Sequence, residues 1–221
     1  MDGLKERLDA VRARIARAAD RARRDPQAIL LLAVTKIFPA EAIRAAYDLG
    51  LRDFGENYVQ EFESKAPLLS DLSGARYHLI GHLQSNKTSK AAELFESIQT
   101  VDSAKLARRL NDSQRPLDVM LEVKLSPEET KHGADPAGLP PLIDAVRACP
   151  NLRLRGLMTM PPWSEDPEAP REFFRQLRQL AEKHGLPELS MGMSNDLETA
   201  IEEGSTCVRV GTALFGKRRK A

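Results

Sequence analysis

Apolar residues near the start of the chain recur three and four positions apart: Leu4, Leu8, Val11, Ile15 and Ala18, with Arg and Asp between them. That spacing predicts one amphipathic helix over about residues 3–24, packed on one face and wet on the other. From Ile29 onward the pattern changes. Short apolar runs at 29–34, 51–55, 77–80, 97–101, 119–125, 152–160, 186–191 and 207–215 read as strands. Helix-patterned segments fill the gaps at 40–49, 58–69, 85–95, 103–111, 137–148, 168–184 and 195–203, three of them closed by Gly50, Gly185 and Gly204. The first run is apolar on both alternating faces (Leu30, Leu32, Val34 against Ile29, Leu31, Ala33), as a parallel strand covered by helices requires. Eight strand–helix alternations in 221 residues predict an α/β fold: a single (β/α)8 TIM barrel over about 28–216, preceded by the extra helix, all in one domain. An open doubly wound sheet is the alternative.

Composition narrows the function. A net charge of +1 provides no basic field for nucleic acid, and "GKRRK" near the end reads as a solvated tail. No run is apolar and long enough to cross a membrane or serve as a signal peptide. Cys149 and Cys207 are far apart in apolar surroundings, which suits reduced core thiols and a cytoplasmic setting.

In a barrel, residues just past each strand converge on the C-terminal mouth. The polar groups expected there are Lys36; Glu56 and Asn57; His78, His82 and Gln84; Asp102; Ser194 and Asn195; and Arg209, Gly211 and Thr212. Lys36 shares a strand face with Leu32 and Val34. A lysine at a strand end can simply snorkel to solvent. Aimed inward, it is a candidate to trap a carbonyl, because only the neutral amine attacks and partial burial favours that form. Gly211, Thr212 and Ser194 could bind a phosphate where barrels often hold one, although Ser194 could equally cap a helix and Gly211 could be a packing glycine. "GTALFGKR" is no P-loop, since Arg218 stands where the magnesium-binding hydroxyl is needed. His78 and His82 lack the Glu of a zinc-binding helix, and no metal site is expected. Pro161, Pro162 and Pro167 mark a loop after the sixth strand that is a lid candidate.

The stretches "LLAVTK", "DFGENYVQE", "HLIGHLQSNK", "LRGLMTM", "LSMGMSNDLETAI" and "VRVGTALFG" closely resemble the pyridoxal phosphate homeostasis proteins, over about residues 28–216. The resemblance implies the barrel of the alanine racemase N-terminal domain (fold-type III) and pyridoxal 5′-phosphate (PLP) held as a Schiff base. Carried over residue by residue, it implies Lys36 as the Schiff-base lysine, with Ser194, Gly211 and Thr212 on the phosphate. Arg209 would face the pyridine nitrogen and Asn57 line the ring, with His78 and Met193 as further cofactor-site residues. Departures are Thr35, where the family often has Ser, and a looser match around Lys131 and Gly133. An arginine beside the pyridine nitrogen keeps the ring a poor electron sink. Alanine racemases use a second base from a C-terminal domain, and this chain stops at Ala221. The expectation is a non-catalytic PLP carrier in intracellular vitamin B6 and amino-acid homeostasis, a monomer or weak dimer that delivers PLP to apo-enzymes. The alternatives are a weak racemase-like PLP enzyme and, further off, a cofactor-free lysine aldolase.

Overall fold

The computed structural model describes residues 3–126 and 132–216. Helix α1 (Leu4–Arg21) buries the predicted apolar stripe from Leu4 to Ala18. Eight parallel strands follow: β1 (Leu30–Val34), β2 (Asp53–Glu56), β3 (Arg76–Leu79), β4 (Ser97–Val101), β5 (Leu117–Glu122), β6 (Leu152–Met158), β7 (Glu188–Met193) and β8 (Cys207–Val210). They pair in sequence order and β1 closes on β8, giving a barrel with no free edge. The helices between them are α2 (Ala40–Asp48), α3 (Val59–Lys65), α4 (Thr88–Leu94), α5 (Ala104–Asn111), α6 (Leu139–Arg147), α7 (Arg171–His184) and α8 (Leu197–Glu202), with α9 (Thr212–Phe215) after β8.

One main apolar core lies between the strands and the helices, built from residues such as Phe54, Phe62, Phe95 and Phe174. Inside the barrel the apolar share is small: Leu32, Val34, Ile80 and Cys207 pack together, with Leu30 against them. Most of the remaining interior is polar. Both cysteines are free thiols, and burial pushes that of Cys207 up to about 11.

Several boundaries shift by two or three residues from expectation, and the end of the last strand shifts most. The last strand ends at Val210 instead of running to 215, because Ala213, Leu214 and Phe215 belong to a helical turn. Leu214 and Phe215 are buried and the turn packs on α1, so their apolar character reports a helix contact. Strand β5 begins at Leu117, two residues before the predicted start. Lys131 and the "GKRRK" residues from Lys217 onward lie outside the described residues. Among the described residues no helix is long and apolar enough to cross a membrane.

Candidate functional site

Strand β1 carries its inward set Leu30, Leu32 and Val34 up the barrel, and Lys36 continues that alternation at the mouth. The turn beyond it is tight. Phe38 N–H donates to Thr35 O at 3.0 Å, and Ile37 takes a positive φ of 62°, a costly backbone for a β-branched residue. A network behind the strand holds this turn. The Thr35 hydroxyl donates to Glu56 at 2.8 Å, Ile37 N–H donates to Glu61, and Lys65 Nζ bonds Glu56, Glu61 and Thr35 O together. Glu56 therefore points into the helix layer and not into the mouth where its sequence position suggested. Its place on the wall goes to Asn57, whose Oδ1 is sealed with no hydrogen-bond partner. Gly81 makes this wall possible, since a Cβ there would lie 2.2 Å from Asn57 O.

On the opposite side a register shift between Ser190 and Met193 re-aims the end of β7. Gly192 at φ 90° allows it, and a Cβ there would meet Ala200 at 2.4 Å. Ser194 is not the cap of α8, which begins at Leu197. Its hydroxyl instead accepts from Ala213 N–H at 3.2 Å, tying the loop after β7 to the first turn of α9. The acidic neighbours are already engaged. Asp196 accepts from Met193 N–H at 2.6 Å, and Glu198 takes a two-pronged bond from Arg14 of α1, which also donates to Ser194 O at 2.9 Å.

Lys36, Asn57, Met193, Ser194, Arg209, Gly211 and Thr212 thus surround one cavity of about 300 Å³ at the barrel mouth. Arg209 is buried, which lowers its pKa against the opposing pull of Asp196 and Glu122. Asn195 anchors the loop after β6 by donating to Ser164 O and Glu165 O, and Trp163 of that loop stands exposed over the cavity.

His78 stands apart from these seven. Its side chain points into the barrel well below the mouth, bonded to Asp53 Oδ1 at 2.9 Å. The alternation along β3 explains this: two residues on, Ile80 takes the inward position at the cavity. His82 and Gln84 line a neighbouring recess with Lys87, and His82 stacks on His132 with ring centroids 3.7 Å apart. Sequence reasoning passed over Glu122. It sits at the inner end of β5 with one carboxylate oxygen unpartnered, and burial, then the charge of Asp102, raise its pKa to about 7. The available signal was an acidic residue inside the apolar run 119–125.

The alanine racemase N-terminal domain family matches residues 7–219. The pyridoxal phosphate homeostasis protein of Pseudomonas aeruginosa is 49% identical over 99% of this chain and 97% of its own length. Its counterpart in Escherichia coli is 43% identical over 99% and 98%. Among solved structures, PipY of Synechococcus elongatus with PLP bound superposes with a TM-score of 0.86 at 40% identity, covering 96% of this chain and all of that one. Alanine racemase of Corynebacterium glutamicum, at 20% identity and a TM-score of 0.66, shares the barrel over 61% of its length. The chain belongs to the pyridoxal phosphate homeostasis proteins, built on the alanine racemase N-terminal domain.

Proposed function

We propose that this protein binds PLP at the barrel mouth as a Schiff base on Lys36 and serves vitamin B6 and amino-acid homeostasis by holding the cofactor and delivering it to apo-enzymes. The observation that carries the reading is the convergence of an amine, a buried guanidinium and a group of hydroxyls and backbone N–H groups on one cavity. An aromatic aldehyde bearing a phosphate needs that donor set. PipY, a structural neighbour with PLP bound, supports it.

Each residue then has a task. Lys36 contributes the nucleophilic amine, held by the strained turn at Ile37 and the Glu56–Lys65 network. Ser194, Gly211 and Thr212 receive the phosphate at the end of β8. Met193 forms apolar wall. Arg209 donates toward the pyridine nitrogen, and a donor there disfavours protonation of that nitrogen. When bound, PLP supplies a reactive aldehyde and an electron sink, and this guanidinium weakens the second property. The reading is therefore a carrier, without racemase, transaminase or decarboxylase turnover, with PLP and apo-enzymes as partners and neither nucleic acid nor membrane among them. We assign His78 no direct contact with the cofactor.

The test has two sides. Holo-protein is incubated with L- and D-amino acids while chirality and keto-acid formation are followed. It is then mixed with a PLP-free aminotransferase in the presence of a scavenger of free cofactor. Transfer without turnover is expected. Turnover of about 1 per second or faster would establish an enzyme and sink the carrier reading.

A further inference from the structure

A chain of buried polar groups runs down the barrel axis from Arg209. Arg209 Nη1 donates to Ser190 Oγ at 2.8 Å, and its Nη2 donates to Thr159 O at 2.9 Å. Ser190 Oγ donates to Gln99 Oε1 at 2.6 Å, Gln99 Nε2 lies 3.4 Å from His78 Nδ1, and His78 Nε2 lies 2.9 Å from Asp53 Oδ1. All five side chains are buried, Ser190 and Gln99 almost completely. At the lower end Arg76 also bonds Asp53. Those hydrogen bonds outweigh the burial that would raise the Asp53 pKa, and its carboxylate is held below the ordinary range.

The direction of the chain follows from chemistry. A guanidinium only donates and an ionised carboxylate only accepts. Ser190 accepts from Arg209, so its own proton goes to the Gln99 carbonyl. Gln99 must then turn its amide N–H₂ to His78, whose Nδ1 must accept. The remaining His78 proton is on Nε2 and goes to Asp53. Every link donates the same way, from the cofactor end to the barrel floor, and the chain is complete only with neutral His78 in its Nε2–H form.

We propose that Ser190, Gln99, His78 and Asp53 form a one-way donor relay that positions Arg209 and sets how strongly it donates to whatever faces it in the cavity. None of the four touches the ligand; they are positioning residues, and Gln99 is the link that joins the Arg209 end of the relay to the His78–Asp53 end. Buried hydrogen-bond chains polarise their members cooperatively, so a carboxylate at the floor is felt at the mouth. His78 thereby bears on the cavity without lining it. The relay rests on the PLP reading only for the identity of the group that Arg209 meets.

The experiment has an apo arm and a holo arm. In ¹⁵N-histidine-labelled apoprotein, His78 is expected as the Nε2–H tautomer with Nδ1 as acceptor. Gln99→Leu should move the Nδ1 signal. Gln99→Glu, whose ionised carboxylate only accepts, should put a proton on Nδ1 at a pH where that carboxylate is charged, whereas Ser97→Ala, beside His78 in the sheet register, should leave the tautomer unchanged. In protein loaded with ring-¹⁵N PLP, Gln99→Leu should shift the pyridine resonance and speed release roughly two- to tenfold, the range for losing one buried hydrogen bond. A wild-type His78 protonated on Nδ1, or a histidine signal indifferent to both Gln99 variants, overturns the relay. So does a folded Gln99→Leu protein with wild-type pyridine resonance and release rate. A wild-type chain that takes up no PLP overturns the cofactor reading alone, and the apo arm decides the relay in either case.

Discussion

Lys65 Nζ lies 3.0 Å from Glu56 Oε1, directly behind the strand end that presents Lys36, and both side chains are almost sealed from solvent at 8% and 0% exposure. Burial raises the pKa of Glu56, and the charge of Lys65 opposes it. Lys65 is therefore what chiefly offsets the burial of the Glu56 carboxylate. Lys65→Met should cost about 3 to 5 kcal/mol in urea unfolding, since it strands a buried carboxylate. Adding Glu56→Leu should recover part of that loss. A single-variant cost below about 1 kcal/mol would mean that the pair is wet and does not brace the Lys36 turn.

Lys36→Ala should abolish covalent PLP attachment. Borohydride reduction followed by peptide mapping of the wild type is expected to label Lys36. Label on Lys65, Lys87 or Lys124 would move the site, although Lys65 is already committed to two carboxylates and Lys87 and Lys124 line other recesses.

Ser194→Ala combined with Thr212→Val should speed PLP release while leaving the covalent spectrum at saturating cofactor, because in the proposed function these groups hold the phosphate and Lys36 makes the bond. Hydrogen bonds to a charged group contribute about 1.5 to 3 kcal/mol, so roughly tenfold or more per group is expected. An unchanged release rate counts against this phosphate site.

Arg14 reaches from α1 to Glu198 and to Ser194 O, so the N-terminal helix braces the loop that carries Ser194, the proposed phosphate contact. The pair is about a quarter exposed, and Arg14→Ala should cost on the order of 1 kcal/mol of stability. Release of PLP should quicken in the same variant. A stability loss with unaltered release would leave α1 a packing role only.

Glu122 introduces a pH dependence. Its folded pKa, about 7, lies above the value near 4.3 expected in the unfolded chain, so it stabilises the fold fully only at low pH. That contribution is lost as pH rises through 7. Between pH 5 and pH 8 the wild type should lose about 2 to 3 kcal/mol relative to Glu122→Gln, measured by denaturant unfolding at each pH. Parallel pH profiles for the two proteins would place the Glu122 pKa near its unfolded value.

Much of this was legible in the chain itself. The change from a 3.6-residue period before Ala28 to two-faced apolar runs after it marked one flanking helix and a helix-covered parallel sheet, because burial on one face or on both leaves different periodicities. Lys36, Asn57, Ser194, Arg209, Gly211 and Thr212 were readable as strand-end residues because parallel strands in a closed barrel send all their C-terminal ends to one mouth. The chain could not say which of the two faces at the end of β2 would line the mouth. Glu56 and Asn57 are adjacent, yet one turns to Lys65 behind the sheet and the other to the cavity.

His78 shows what was left for the tertiary structure to decide. Its strand followed from the pattern, but its height in the barrel depends on register with Gly55 and Ser97, which is set by strand tilt and closure. The same holds for the bulge at Gly192 and for the partnership of Gln99 with Ser190, 91 residues apart. Local sequence determines which faces must be buried, because that is a matter of each segment's own periodicity. Which polar groups meet inside the barrel is a property of all eight strands at once, because a hydrogen bond forms only after closure has brought its two ends within about 3 Å.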